Sequence, residues 1–310
     1  MKHRSLVIIA EELDPACVDW LAQRCEVVSC TASESGRFGD LLRRAEGLIV
    51  RTYTKVDAPL LERAPRLRVV GRAGVGLDNI DLEACRARGV RVVHTPDANT
   101  RAVVEYLWML ILEALRPVAD VTRPMTLEDW KSLRSRLVAD RQLAGMTLGI
   151  VGLGRVGSAM ARVGAAFDMR VLYNDLIEIP EQRRFGAAPC PLETVLHEAD
   201  VFTLHVDDRP ANRGLIGRAE CALLRDDVIF VNASRGFVVK PEALAEFLRA
   251  QPAARAILDV HEPEPFTAEY PLLSLPNARL LPHLGAATKP AHRNMSWVVR
   301  EVWEVLQSDR

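Results

Sequence analysis

Residues 147–157 read Thr-Leu-Gly-Ile-Val-Gly-Leu-Gly-Arg-Val-Gly, an apolar run followed at once by glycines spaced G-x-G-x-x-G. Few folds accept that pattern. A strand that turns on Gly152 straight into a helix opening at Arg155 belongs to a βαβ unit of a parallel sheet. Gly152 permits the tight turn, Gly154 lets backbone approach a pyrophosphate, and Gly157 lets helix and strand pack closely. The helix start, at Arg155 and Val156, offers amides and the positive end of a dipole to an anion. Asp175 follows at the end of the next apolar run. A carboxylate there accepts from ribose hydroxyls and repels a 2′-phosphate, so NAD is expected rather than NADP. Asp175 as a mere loop carboxylate or helix cap is the plainer reading, and this context disfavours it.

The same alternation runs through most of the 310 residues, which suggests two domains. Apolar runs at 6–10, 26–29, 47–50, 68–71 and 91–93 read as buried strands, with helical stretches near 15–23, 37–45, 57–64 and 81–88 between them. Asn99 or Thr100 can cap a long helix ending near Pro117. The polar stretch 120–145, around Trp130, is too long for a simple loop and is expected to pack against something, such as another subunit. Strands at 147–151, 170–173, 201–205, 228–232, 256–260 and 279–281, with helices at 155–167 and 241–250, form a second α/β series. The last residues, from Gly285, read as one further helix. The fold class is α/β, with two doubly wound parallel-sheet domains.

With 40 Lys plus Arg against 41 Asp plus Glu, the formal charge is −1, which argues against nucleic acid as a partner. The six cysteines form no C-x-x-C and no cluster with histidine, so neither a metal site nor a disulfide framework is expected, and a reducing compartment is the default. No apolar run is long enough for a signal peptide or a membrane span, so the expected location is the cytoplasm.

Three strand ends in the second series carry unusual residues: Arg235 after 229–232, Asp259 with Glu262 and Glu264 after 256–258, and His283 after 279–281. Open α/β sheets bind ligands outside the carboxyl ends of their strands. A guanidinium can hold a carboxylate bidentately, a histidine can exchange a carbinol proton, and a carboxylate behind it favours imidazolium. Singly, each residue could be a solvated charge, a satisfied loop histidine or a cap. Together, beside a dinucleotide fingerprint, they read as a catalytic set. A Ser234–His283–Asp259 hydrolase triad is the alternative, and it lacks the G-x-S-x-G elbow.

At these residues the chain resembles the D-isomer-specific 2-hydroxyacid dehydrogenases over nearly its whole length. The matching segments are GRAGVGLDNIDLEA (71–84), TPDANTRAVVEY (95–106), GMTLGIVGLGRVG (145–157), VNASRG (231–236), LDVHEPEP (258–265) and LPHLGAATK (281–289). The likeness leans toward the 3-phosphoglycerate dehydrogenase branch, through GLIVRTYTKVD (47–57). It implies Arg235, Glu264 and His283 as the catalytic set. It implies cofactor contacts from Gly152, Gly154, Arg155, Val156, Gly157, Asp175, His205, Ala233 and Asp259, the last to the nicotinamide carboxamide. Substrate contacts fall to Arg235, to the amides of Val75 and Gly76, and to Arg51 and Arg72, which follow first-domain strands and match arginines near a substrate phosphate.

The resemblance further implies a discontinuous flavodoxin-like substrate domain (1–97 and 285–310), a Rossmann NAD-binding domain (98–284), and a cleft that closes on substrate. A homodimer through the helix after Asn99 and the Trp130 segment is implied too. Three departures stand out: His205-Val-Asp207-Asp208 in place of the usual His-x-Pro, His261 in place of an aromatic residue, and Phe237 and Lys240 after Arg235-Gly236. The expected reaction is 3-phosphoglycerate/phosphohydroxypyruvate interconversion, with glyoxylate/hydroxypyruvate reduction as the alternative. A reading from another class is an NAD(H)-sensing, corepressor-like binding protein. Such a protein would need an added interaction tail, for which the length leaves no room, as it leaves none for a regulatory domain.

Overall fold

The computed structural model describes residues 4–116 and 118–308. The chain divides into two units, Met1–Asn99 with Ala286–Arg310, and Thr100–Gly285.

Short apolar quartets and capped helices build the first unit: β1 (Leu6–Ile9), α1 (Pro15–Ala22), β2 (Glu26–Ser29), α2 (Ser35–Leu42), β3 (Gly47–Val50), α3 (Ala58–Glu62), β4 (Val69–Arg72), α4 (Leu82–Ala87) and β5 (Arg91–His94). Its sheet is parallel, in the order β2-β1-β3-β4-β5, the flavodoxin-like arrangement. Every residue of β1 and β3 is buried, because helices cover both faces and side chains pointing either way leave water. Asp14, Asp57 and Asp81 start α1, α3 and α4 by accepting amide hydrogen bonds, each worth about 1 kcal/mol.

The second unit runs α5 (Thr100–Leu115), α6 (Leu127–Arg136), β6 (Thr147–Val151), α7 (Arg155–Ala166), β7 (Arg170–Asn174), β8 (Ala188–Pro189), α8 (Leu192–Glu198), β9 (Val201–Leu204), α9 (Arg218–Cys221), β10 (Ile229–Asn232), α10 (Pro241–Ala250), β11 (Arg255–Leu258) and β12 (Ala278–Leu280). The seven parallel strands lie in the order β12-β11-β10-β9-β6-β7-β8. The chain leaves β6 toward β7 and later returns to β9 on its other side. That reversal is the switch point at which such sheets bind ligands. Leu107 and Ile111 of α5 join Met160 and Ala161 of α7 in the core on one face. Val195 of α8 and Leu244 and Leu248 of α10 belong to the core on the other.

The single C-terminal helix expected from Gly285 is instead two, α11 (Lys289–Ser296) and α12 (Val298–Ser308). The Ser296 hydroxyl donates to the His292 carbonyl (2.8 Å) and accepts from the Asp14 amide (2.9 Å), a back-bond of the kind that bends helices. Thr288 then caps α11, and Val298, Val299, Val302, Val305 and Leu306 bury one face of α12 against the first sheet. The stretch 120–145 holds α6, capped by Thr126 and without one buried residue. Helices α8 and α9, of seven and four residues, lie beyond the helices expected from the sequence. The helix end expected near Pro117 falls outside the described residues, and α5 closes at Leu115. Among the described residues no helix is long and apolar enough to cross a membrane, and no group of three His, Cys, Asp or Glu could hold a metal ion.

Candidate functional site

The β6–α7 turn is shaped by two close approaches. Gly152 sits at φ +89°, where a Cβ would stand 2.7 Å from the His205 carbonyl oxygen, and a Cβ on Gly157 would stand 2.1 Å from the Gly152 oxygen. Only glycine meets both demands. At Gly154 the reverse holds: nothing lies within 4 Å of a Cβ there, and no side chain caps α7. The positive end of the helix thus faces open space edged by an exposed Arg155 and a half-buried Val156, which fits a pyrophosphate. Asp175, just past β7, accepts from the Leu153 amide at 2.7 Å and from the Ile177 amide at 3.2 Å, so its carboxylate is fixed beside the turn.

Ala233 packs against the core below β10. The His205 ring bonds Thr203 Oγ1 through Nε2 at 2.9 Å, and burial pushes its pKa down to about 3, so it is neutral. The extra charge of Asp207 is met by Arg209, at 2.7 and 2.5 Å, and by Asn212, and Arg209 holds Asp207 below the usual carboxylate range.

Adjacent strands β10, β11 and β12 deliver the second group. Asn232, the last residue of β10, donates from Nδ2 to the Arg235 carbonyl at 3.0 Å and accepts from the Ser234 amide, so the turn carrying Arg235 is folded on its own strand end. The Arg235 guanidinium donates to the Ser234 carbonyl at 2.7 Å. Asp259, directly after β11 and only 2% exposed, accepts from the amides of Leu284 and Gly285, both at 2.8 Å. These two bonds pin the turn after β12, where His283 has φ 56°, a left-handed conformation that a non-glycine residue keeps only when its surroundings hold it. Burial raises Asp259 above the usual carboxylate range despite the two amides. The half-buried Tyr106 of α5 lies beside it, and burial together with that carboxylate pushes the phenol up to about 12.

His283 Nδ1 meets Glu264 Oε2 at 2.9 Å. This hydrogen bond, with the charge of Glu264 and Asp259, raises His283 above its ordinary pKa against the pull of burial and of Arg235. Glu264 is raised by burial but carried below its ordinary value by His283 and by the His261 amide, which donates to Oε1 at 2.7 Å. The pair is half exposed and reaches solvent. Such an imidazole, held by a carboxylate and keeping Nε2 for another partner, can deliver or accept a proton. Glu262 is engaged elsewhere, bidentate with Arg213 at 2.7 and 3.0 Å. The hydrolase triad is not assembled: buried Ser234 donates to Asn232 Oδ1 at 2.8 Å, and the Asp259 carboxylate serves the two backbone amides.

In the first unit, β3 and β4 are neighbours with Val50 opposite Arg72, so Arg51 and Arg72 stand at adjacent strand ends. Arg51 Nη1 donates to the Glu12 carbonyl (3.3 Å) and lies 3.0 Å from His292 Nε2. Its loop is held by Glu11, which accepts from the amides of Arg51, Thr52, Tyr53 and Thr54 and is lowered by them although burial opposes it. Arg72 turns back over Gly74 and donates to the Ala73 carbonyl at 3.3 Å. The Val75 carbonyl accepts from His94 Nδ1 at 2.9 Å, while the amides of Val75 and Gly76 donate to no described residue. The sequence pattern does not single out Asn232, which acts within its own turn, or Tyr106, Glu11 and His292, whose roles arise from contacts distant along the chain. His261 was visible there only as a departure from an aromatic residue.

Comparison with known proteins places this geometry among relatives. Residues 108–285 match the family model of the D-isomer specific 2-hydroxyacid dehydrogenase NAD binding domain. A glyoxylate reductase of Aeropyrum pernix is 34% identical over 306 residues, covering 96% of this chain and 91% of that protein. A D-3-phosphoglycerate dehydrogenase of Archaeoglobus fulgidus is 35% identical over 299 residues, covering 95% of this chain; the chain spans 56% of that relative's length. The crystal structure of the TT0316 protein from Thermus thermophilus superposes with a TM-score of 0.82 at 33% identity, covering 98% of this chain and 97% of that one.

Proposed function

The chain belongs to the D-isomer-specific 2-hydroxyacid dehydrogenase family, and from that premise we propose that it interconverts a D-2-hydroxy acid and its 2-oxo acid using NAD. The observation that carries this reading is the His283–Glu264 contact of 2.9 Å beyond β12 and β11, in the same run of strands as β10, which carries Arg235. When bound, the nicotinamide supplies or accepts the hydride. His283 gives a proton from Nε2 to the carbonyl oxygen in reduction and takes it back in oxidation. Glu264 favours the protonated imidazole, and Arg235 holds the substrate carboxylate, a role to which the Val75 and Gly76 amides are also suited. The turn at Gly152 and Gly154, closed against the strand by Gly157, would hold the pyrophosphate, and Asp175 would hold the ribose.

We take the substrate to be phosphorylated, as in 3-phosphoglycerate/phosphohydroxypyruvate interconversion. Arg51 and Arg72, at neighbouring strand ends, make a cationic edge suited to a phosphate, with His292 Nε2 accepting from the Arg51 guanidinium. A second reading, reduction of glyoxylate or hydroxypyruvate, is favoured by the near-complete coverage of the Aeropyrum relative and by the side chain of Arg72 folded over Gly74. NADH oxidation with phosphohydroxypyruvate, hydroxypyruvate and glyoxylate in parallel separates the two. A kcat/KM highest for the phosphorylated acid supports the first, and no turnover of any of them overturns the dehydrogenase reading. The proposal includes a homodimer through α5 and α6. Met109, Leu112, Leu127, Trp130 and Val138 are exposed there, and a lone ten-residue helix is marginal in water without packing. A monomeric mass in sedimentation would refute it.

A further inference from the structure

We propose that His261 is a positioning residue that locks together the three strand-end segments carrying Arg235, Glu264 and His283. The inference rests on the dehydrogenase reading above and deepens it.

Each segment meets the same residue. From the β10 side, the Gly236 backbone lies so close that a Cβ there would stand 2.0 Å from the His261 carbonyl carbon and 2.1 Å from its oxygen. From the loop after β11, the His261 amide donates to Glu264 Oε1 at 2.7 Å, leaving Oε2 for His283. From the loop after β12, His261 Nε2 lies 2.9 Å from the Leu281 carbonyl, two residues before His283. A carbonyl only accepts, so Nε2 carries a proton, while Nδ1 faces the Tyr270 hydroxyl at 3.4 Å. The ring is 6% exposed and packs edge-on against Phe266 and Tyr270, which stack on each other.

A phenylalanine would fill this space but could not donate to Leu281. The histidine therefore adds a tether to an aromatic position. It runs from the Glu264 carboxylate through one residue to the backbone bearing His283, and so sets the approach of Oε2 to Nδ1. The ionisable groups facing His283 are Glu264, Asp259 and Arg235; those facing His261 are Glu264 and Tyr270, the latter pushed up to about 12 by burial.

His261→Phe keeps the ring packing and removes the donor, whereas His261→Gln offers an amide N–H in the same direction. The His283 Hε1 resonance, assigned by its loss in His283→Asn, is titrated by NMR in parent and variants without cofactor, beside thermal melting and pH profiles of oxoacid reduction. In the Phe variant we expect an unchanged melting temperature and a His283 titration displaced toward the ordinary histidine value. The alkaline limb of reduction should fall to lower pH with it, and kcat should drop about tenfold, a change of 1.36 kcal/mol in the barrier, with KM little altered. The Gln variant should restore all three. A Phe variant whose His283 titrates as in the parent, or a Gln variant no better than Phe, overturns the proposal.

The parent protein supplies a test that needs no variant. Nitrogen-15 shifts should show the neutral form of His261 as the Nε2–H tautomer, and an Nδ1–H tautomer overturns the tether. Because these spectra need no turnover, a parent that reduces none of the three acids sinks the dehydrogenase reading while the tether is still decided.

Discussion

The two sheets of this molecule both present arginines at their carboxyl ends, and they hold them in different ways. Beyond β10, β11 and β12, the charged groups form one linked set. Asn232 shapes the Arg235 turn, Asp259 pins the His283 turn, and Glu264 joins the His261 amide to the His283 ring. Beyond β3 and β4, Arg51 is held against Glu12 and His292, and Arg72 donates to the Ala73 carbonyl of its own turn. A linked set fixes relative geometry and protonation, which proton transfer needs. Cations carried on the other unit can be gained or lost without disturbing that geometry, which suits a site that selects among substrates. The second unit should therefore govern how fast any substrate reacts, and the first should govern which substrate is preferred.

The largest effect should come from breaking the linked set at its centre. His283→Asn removes the proton donor and should lower kcat by about 10²–10⁴-fold, the usual loss for general acid–base catalysis, with NADH affinity little changed in fluorescence titration. Turnover near the parent's would remove His283 from the role proposed here. Glu264→Gln takes away the main cause of the raised His283 pKa. Reduction requires imidazolium, so its rate holds below that pKa and falls as pH rises through it. The substitution should move this fall to lower pH, and oxidation, which needs the neutral ring, should gain its rate from lower pH as well. Profiles that coincide with the parent's would detach Glu264 from the pair.

How far this was legible in the sequence follows from the same contrast. The dinucleotide turn could be read because its constraints are local: Gly152, Gly154 and Gly157 lie within one strand–turn–helix, and strand ends could be placed from apolar quartets. Arg235, Glu264 and His283 could be singled out by residue type, but nothing in the spacing gave their supports. Asp259 reaches the Leu284 and Gly285 amides from a neighbouring strand, and His261 reaches Leu281 the same way. The break between α11 and α12 depends on Ser296 meeting the amide of Asp14 across 282 positions, a contact no periodicity encodes. Helix α6 was missed because its polar sequence has no apolar face to the rest of its own chain.

The first unit is tested by asking whether its arginines discriminate. A phosphate held by guanidinium is a charge-assisted contact of roughly 1.5–3 kcal/mol per hydrogen bond, so losing one corresponds to about 10–150-fold. Arg51→Ala should raise KM for phosphohydroxypyruvate on that scale and leave glyoxylate and hydroxypyruvate nearly unaffected, since neither has a phosphate to lose. Arg235→Ala should impair all three, because each carries the 2-oxo carboxylate. If Arg51→Ala affects the three equally, the arginine supports its loop with Glu12 and His292, and the small-oxoacid reading becomes the better one.

The smallest expected effect sharpens the contrast from the cofactor side, because Asp175 should alter cofactor preference for every substrate alike. In the structure its carboxylate accepts from the Leu153 and Ile177 amides, and the cofactor role proposed for it adds a second duty, opposing a 2′-phosphate. Asp175→Ala removes both and would mix loss of the turn with loss of the charge. Asp175→Asn keeps a side-chain oxygen for the Leu153 amide and gives up the charge and the longer bond from the Ile177 amide. The parent should favour NADH over NADPH in kcat/KM, and the Asn variant should narrow that ratio by about tenfold, the scale of a 1.4 kcal/mol interaction. The narrowing should be the same with phosphohydroxypyruvate and with glyoxylate, and the melting temperature should stay close to the parent's. A parent that uses both cofactors equally well refutes the assignment of Asp175 outright. A ratio that narrows for one acid and not the other would mean that the cofactor edge also reads the substrate, and the division of labour between the two units would then fail.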